Sequence, residues 1–489
     1  MVVVGDKRIS TAAKLVAAFV VSRVAYALSG VRFIDGQTKA WQALDPALIQ
    51  HDLARSLFYL HTQPPGFNLF VGLVQKLTPA HALWVFHAVF LGCGLVLYLA
   101  VVRTMRVLGV SSWLSVTLST LFIVSPAAIL YENWFFYTYP LATLLLLSVL
   151  ALHAFIRTRK AKHAALFFFA IGLLSLIQSS FHLAFFAILI AGVSFWYPAE
   201  RKIIWLAAAP PFLLILLLYL KNAVLFGSFG VCSWVGMNMA RVPFVNWPLS
   251  ERAALVEQGR MSPVTLIEPF SPLDMYPVDA RQAKGFEGIP LLSEAKKSTG
   301  EVNYNHLAYL RISKEYMRGV WYGVRHFPRF YVKGVLRSAF IYTKAASDYA
   351  WLVDNRAKIR LVDELYDRVF LGRLLVNGPA HVRGASTEPL RIYVFAIFTL
   401  PLVFVFGLVK VLQPKRLGPA LTRDQLGLVA YICVCIAYLG SIGILMESGE
   451  NNRFRFMTDP LSLVLLALLL QTVLSALRER KNAMPGSSG

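Results

Sequence analysis

Charge is scarce in this chain. Only 15% of its 489 residues are Asp, Glu, Lys or Arg, against 57% hydrophobic ones, whereas a soluble globular chain is near one-quarter charged. The mean hydropathy of +0.58 points the same way. A soluble domain is excluded, and several windows are long and apolar enough to span a bilayer. Cysteine is scarce too. Cys93, Cys232, Cys433 and Cys435 lie mostly in apolar segments at no metal or redox spacing, and read as small buried hydrophobes. There is no Gly-rich phosphate loop and no paired-Asp nucleotide-sugar motif. Internal repeats and the matched Gly/Pro-broken spans of inverted-repeat transporters are missing as well. Few ionisable residues fall near mid-depth, Arg23 and His153 coming closest, and a proton-coupled pump would need more.

What is present is an all-α polytopic membrane pattern. Apolar runs predict spans near 11–30, 81–102, 112–130, 137–156, 164–177, 181–197, 203–220, 392–410, 427–446 and 457–477. The first follows Lys7, Arg8 and Lys14 without a small-residue cleavage site, and reads as a retained signal anchor. Residues 164–197 are too long for one span and short for two; the polar break Gln178-Ser179-Ser180 with His182 favours two. That choice puts the basic loops 157–162, 200–202, 410–416 and 478–481 on the side of the basic N-terminus, as cytoplasmic loops require. The expectation is ten spans with both termini in the cytoplasm. An N-terminal transmembrane module (1–220) leads into a long non-cytoplasmic region (221–391) and a C-terminal transmembrane module (392–489). Residues 222–310 read as loop, and 327–346 as an amphipathic helix lying on the membrane surface. The formal charge of +22 fits anionic lipid head groups or a lipid phosphate better than nucleic acid.

The regions facing away from the cytoplasm hold the candidate chemistry. In "LHTQPPGFNLF" (60–70) two prolines and a glycine stop any helix, leaving His61 and Gln63 at a rigid polar corner. Asp35 follows the first span with no helix to cap, and a carboxylate at a membrane mouth suits general-base work. Asp45 before Pro46 reads as a helix cap. Asp52 and Arg55, one helical turn apart, read as a surface ion pair or as site residues. Glu132 sits among aromatics in "YENWFFY" (131–137), as an interface marker or a site acid. In "MESGENNRFRF" (446–456), Glu447 and Glu450 precede Arg453 and Arg455. These arginines suit either head-group anchoring or a phosphate clamp. Lys221 offers a further point charge, and His326 reads as an interface residue.

Three of these stretches, in order, resemble the GT-C glycosyltransferases, integral membrane enzymes that use polyprenyl-phosphate sugars. Asp35 followed by "HTQPPGFNLF", then "SPAAILYENWFFYTYP" (125–140), then "ENNRFRFMTDPL" (450–461) look like the pattern of protein O-mannosyltransferases and lipid A aminoarabinose transferases. The likeness covers the N-terminal third and the last fifty or so residues. It implies a GT-C-like bundle of about ten transmembrane helices whose non-cytoplasmic loops form the active-site face. It also implies transfer of a sugar from a polyprenyl phosphate to a hydroxyl of a glycan, lipid or protein, with Asp35 as base. The pattern departs where Gly36 follows Asp35 and where Gln63 precedes the prolines, which moves the expected phosphate contact to Arg453, Arg455 and Lys221. Asp52, Arg55, His61, Gln63, Glu132 and Glu450 complete the expected substrate-binding set. No residue is assigned to a metal; a divalent cation is the one cofactor the resemblance admits, with Glu132 its only extra acid. The absence of Asn-X-Ser/Thr sites in the long loops hints at a bacterial inner membrane rather than the endoplasmic reticulum. A flippase or transporter of a lipid-linked sugar is the rival. The topology is testable: a cysteine placed in 260–300 should react with an impermeant thiol reagent added outside intact cells, and labelling only after lysis would overturn the span count.

Overall fold

All ten apolar segments are helical. The computed structural model describes residues 4–36, 41–282, 285–376, 390–418 and 420–483. The helices of the first module are α1 (Val4–Leu28), α2 (Pro46–His51), α3 (Leu53–Tyr59), α4 (Gly66–Leu77), α5 (Ala82–Val107), α6 (Ser112–Ile123), α7 (Pro126–Glu132), α8 (Thr138–Thr158), α9 (Ala161–Ile177), α10 (Leu183–Trp196) and α11 (Arg201–Phe226). The long segment carries α12 (Val235–Phe244), α13 (Leu249–Glu257), α14 (Val278–Arg281), α15 (Pro290–Ser293), α16 (Ala308–His326), α17 (Pro328–Thr343), α18 (Val353–Lys358) and α19 (Arg360–Phe370). Strands β1 (Arg373–Val376) and β2 (Leu390–Tyr393) pair antiparallel, Arg373 opposite Tyr393. The chain ends with α20 (Val394–Leu412), α21 (Arg423–Leu445), α22 (Asn451–Phe456) and α23 (Asp459–Ala483).

Among the described residues, six stretches are long and apolar enough to cross a membrane: Pro79–Val107, Thr138–Thr158, Pro198–Phe226, Val394–Leu412, Arg423–Leu445 and Asn451–Glu479. A seventh is the pair α6–α7, bent by 57°. Against the expected ten, six or seven therefore pass by length and composition among the described residues; α9 and α10 fall short in length, while α1, at 25 residues, is not among the six or seven. The 17 residues of α9 and the 14 of α10 rise only about 25 and 21 Å, against a hydrocarbon core of about 30 Å. They stop at the polar break, where Gln178 turns extended.

The bend between α6 and α7 has an identifiable cause. Pro126 opens α7, with Ser125 capping it by accepting from the Ala128 amide. Proline has no N–H to give, so backbone carbonyls before it need other partners. Arg23 Nη1 donates to the Ile123 carbonyl at 3.1 Å and the Tyr26 hydroxyl to that of Val124 at 2.8 Å. The same guanidinium grips Glu132 bidentately, Nε to Oε1 at 2.9 Å and Nη2 to Oε2 at 2.7 Å, and the Tyr139 hydroxyl adds a bond at 3.1 Å. Glu132 is 0% exposed. A side chain on Gly94 would overlap its Oε2. Glu132, expected at a membrane-level turn, is thus the counter-ion of α1.

The two ends of the bundle differ as the charge pattern predicts. At one end the basic loops meet: Arg159 pairs with Glu200 and Asp424, and Arg423 bonds the Trp196 carbonyl at 2.8 Å. At the other end the polar regions join. Ile34 bridges Trp134, Lys297 donates to the Ala43 carbonyl at 2.9 Å, and Arg455 reaches the Tyr342 and Lys344 carbonyls. Residues 222–310, expected as loop, belong to a built unit of short helices. Its own aromatic core includes Trp234, Phe244, Trp247, Tyr309, Tyr316 and Phe330. Within it, α17 lies so close to α12 that Gly334 has no room for a Cβ beside the Val242 carbonyl. The surface helix expected at 327–346 is therefore half-packed: Phe330, Gly334 and Ser338 are buried while Val332 and Leu336 stay exposed.

Removing either partner of the Arg23–Glu132 pair leaves a charge without its counter-ion inside the bundle, a loss on the order of 3–5 kcal/mol. Arg23→Ala and Glu132→Ala should each lower the thermal midpoint in detergent, and the double variant should lie above either single one. Midpoints equal to the parent's would show the pair to be dispensable.

Candidate functional site

The short helices α9 and α10 leave a recess at the loop-bearing end, and the break between them lines it. Gln178, Ser179, Ser180 and His182 form one wall of a cavity of about 100 Å³. Trp41, Gln42 and Tyr137 form a second wall, Trp234, Asn238 and Arg241 of the long segment a third, and Glu447, Glu450, Arg453 and Phe454 a fourth. Its indole and phenol faces, planar amides and paired charges are the groups that hold a polar ring and an anion.

Two arginine–glutamate pairs set its electrostatics. Arg453, 3% exposed, donates through Nε and Nη2 to Glu450 Oε2 at 3.0 and 2.5 Å, and through Nη1 to Thr138 Oγ1 at 3.3 Å. Its guanidinium lies 4.9 Å from the Phe454 ring centre and 5.2 Å from that of Phe136, so stacking supplements the ion pair. Arg241 donates to Glu447 Oε1 at 3.1 Å, where the Ser448 amide also bonds at 3.0 Å. Burial pushes the Glu447 carboxyl up, to about 7, with neighbouring Glu450 adding to the rise and Arg241 opposing it. Burial also raises Glu450, but Arg453 and Arg241 outweigh it and hold that carboxyl below its ordinary value. Two carboxyls with values pushed apart in this way can divide the roles of proton acceptor and standing counter-charge.

A larger cavity of about 660 Å³ adjoins the first and shares His182, Cys232 and Val235 with it. Leu183, Ala187, Phe212 and Leu310 make its lining mainly apolar.

The Pro-Pro corner serves this cavity indirectly. Gln63 Nε2 donates to the Gln42 carbonyl, and Asn68 Nδ2 to the same oxygen at 3.0 Å. The Tyr137 hydroxyl donates to the Gln42 side-chain oxygen at 2.8 Å. The corner thus pins Trp41 and Gln42 in the wall. His61 does not face the cavity with Asp35 as expected. It is buried between the Ser233 hydroxyl (2.8 Å) and the Asn305 carbonyl (3.0 Å). The carbonyl fixes the ring proton on Nε2, so Nδ1 accepts from Ser233. Lys221 caps the chain after α3, donating to the Phe58 and Leu60 carbonyls at 2.7 and 2.9 Å.

The remaining expected residues scatter. Residues two apart on a helix project about 200° apart, so Arg455 leaves Arg453 and turns to Asp459 at 3.0 Å and to two backbone carbonyls. The expected two-arginine clamp is split, and Arg241 takes the second place in the cavity. Asp45 caps α2 as read, accepting from Ala47, and also accepts from Ser298. Asp52 lies between α2 and α3 and forms no ion pair with exposed Arg55. Asp35 is exposed, directly after the Ile34–Trp134 bridge and off the lining of the polar cavity; residues 37–40, which join it to Trp41, lie outside the described residues. Arg241, Asn238, Trp234 and Gln42 carry no local motif; of the lining, the polar break 178–182 and Glu447, Glu450 and Arg453 stood out in the sequence.

Fold and cavity together define an α-helical multi-pass membrane protein with a polar recess beside an apolar one. No protein-family model, curated protein or solved structure matches this chain.

His61 supplies a pH test of how the first loop is held. Burial lowers its ring to about 4, against the Asn305 carbonyl, which raises it. The unfolded chain therefore binds more protons than the folded one between about 6.5 and 4. The contribution is complete above pH 6.5 and is lost as pH falls through that window, a change on the order of 3 kcal/mol. The thermal midpoint should drop accordingly, and His61→Gln should be less stable at pH 7 with a flatter profile below it. A parental slope in His61→Gln would assign the pH dependence to other groups.

Proposed function

We propose that this chain is a membrane glycosyltransferase that moves a sugar from a polyprenyl-phosphate donor to a hydroxyl of a glycan, lipid or protein acceptor. The supporting observation is that the polar and apolar cavities lie side by side, sharing His182, Cys232 and Val235 in their linings. An amphipathic ligand with a long apolar tail and a charged, ring-bearing head fits that pair. In this reading the tail lies between α10, α11 and α16, and the sugar phosphate lies among Trp41, Trp234, Gln178, Asn238, Arg241 and Arg453. Ten membrane passages, with this end away from the cytoplasm of a bacterial cell, belong to the same proposal.

The chemistry needed is modest. The donor phosphate leaves as an anion held by Arg241 and Arg453, and a carboxylate takes the acceptor's proton as its oxygen attacks the anomeric carbon. Asp35, six residues before Trp41, is proposed as that base. Glu447 is the alternative, because its Oε1 holds Arg241 and Ser448 while Oε2 takes no hydrogen bond among the described residues. A flippase would take the same ligand without breaking its sugar–phosphate bond.

Radiolabelled polyprenyl-phosphate sugar with the purified protein in liposomes separates these readings. Arg453→Ala and Arg241→Ala should each raise the donor KM, a lost charge-assisted contact being worth about 1.5–3 kcal/mol. Arg455→Ala should lose thermal stability while keeping donor use. Asp35→Asn should cut the transfer rate by about 10²-fold or more with donor binding intact. A near-parental Asp35→Asn beside an inactive Glu447→Gln moves the base to Glu447. Label that crosses the bilayer with no new glycosidic product sinks the transferase.

A further inference from the structure

Helix α19 has its polarity inside out. Its two aspartates face protein: Asp363 and Asp367 are 2% and 1% exposed. Arg356 reaches across to them, Nε to Asp363 Oδ2 at 2.6 Å and Nη2 to Asp367 Oδ2 at 3.8 Å, and also pairs with Asp348 at 2.5 Å. The Tyr393 hydroxyl donates to Asp367 at 3.3 Å, and Arg373, itself buried, approaches that carboxylate at 3.8 Å. These bonds fix which way α19 is rotated. Its other side carries Leu361, Leu365 and Val369 at four-residue spacing, with exposures of 78%, 64% and 55%, one stripe along the helix. Among the described residues nothing covers that stripe.

The surface does not stop at α19. Leu374 and Leu375 of β1 are more than half exposed, as are Phe395 and Phe398 at the start of α20. The Phe395 amide donates to the Leu371 carbonyl at 3.1 Å, and Gly372 sits against the Phe395 ring with no space for a side chain. One apolar face therefore runs from α19 across β1 onto α20, a helix of membrane-crossing length and hydropathy. A cavity of about 370 Å³ beneath it, walled by α6, α19, α20 and α23, shares Phe370 and Phe395 with this face. Arg360 and Arg368, exposed toward either end of α19, both approach Glu364 at 3.9 Å; two arginines against one exposed glutamate leave the net positive charge that lipid phosphates attract. An amphipathic helix with an apolar stripe and flanking arginines lies in the head-group boundary of a bilayer.

We propose that α19 and the β1–β2 pair are seated in one lipid leaflet, with the Leu361–Leu365–Val369 stripe among acyl chains and Arg360 and Arg368 at the phosphates. The occupant of this face is bilayer phospholipid, and the buried Arg356–Asp363–Asp367 cluster is what turns the stripe toward it. The seat is independent of the reaction proposed above.

The test uses depth-dependent quenching in nanodiscs. Leu365→Cys is labelled with a small fluorophore in a background whose four cysteines are replaced by alanine. Phe398→Cys on α20 serves as the lipid reference. Met275→Cys, exposed on the unit of short helices, serves as the water reference. Acyl-brominated phosphatidylcholine should quench the Leu365 label as strongly as the Phe398 label, and aqueous iodide should barely touch it. Quenching like that of Met275→Cys overturns the proposal, and protection from both quenchers overturns it in favour of a protein partner or second copy. The unsubstituted chain gives an independent reading: a photoactivatable phospholipid should label the peptide containing Leu361–Phe370, and an unlabelled peptide beside a labelled α20 would again count against the seat.

Discussion

The arrangement depends on one buried ion pair. Arg23 of α1 holds Glu132 at the end of α7 and also takes the Ile123 carbonyl at the kink before it. A lipid-facing bundle has no water to satisfy such groups, so each must be met by protein. The pair therefore fixes where α6 ends, where α7 points and how α1 lies against both. Tyr131 then stacks on Phe456 at 4.1 Å, which ties α7 to α22. Two residues past the chain's turn at Asn133 to Phe135, Tyr137 holds Gln42, and Thr138 accepts from Arg453. Two walls of the polar cavity thus inherit their positions from an interaction deep in the bundle.

Most of the fold was legible because bilayer physics acts on averages over twenty residues. Each apolar run became helical, the run 112–130 as the bent pair α6 and α7. What escaped was tertiary. Length, not hydropathy, removes α9 and α10 from the helices able to cross alone. Residues 222–310 looked like loop because their helices are short and their core is aromatic rather than periodic. Among site residues, the sequence pointed to the right stretches and often to the wrong atoms. His61 and Lys221 spend their polar groups on backbone and hydroxyl partners, and Arg453 and Arg455 are parted by about half a turn of helix. Arg241 and Asn238 come from a segment with no recognisable pattern, so only the folded chain could bring them to Glu447 and Gln178.

The polar cavity is close to charge balance, with Arg241 and Arg453 each already facing a glutamate. That differs from an open basic patch, whose pull on anions extends over a Debye length and fades with salt. A balanced, walled cavity discriminates at short range instead: an anion must replace a carboxylate at an arginine fork with matching geometry. The long-range attraction for lipid phosphates belongs to the exposed arginines elsewhere on the surface.

The short pair α9 and α10 also has a consequence for the membrane itself. Both expose apolar side chains to the surroundings, Phe169 on one and Ile188 on the other, yet they rise several ångströms less than a hydrocarbon core. A bilayer beside helices this short thins to match them. The lipid surface is thereby drawn down next to the apolar cavity, whose lining includes Leu183, Ala184 and Ala187 of α10. For the proposed lipid-phosphate donor, such thinning would bring the head group toward the recess by shaping the solvent rather than by lifting the lipid out of it.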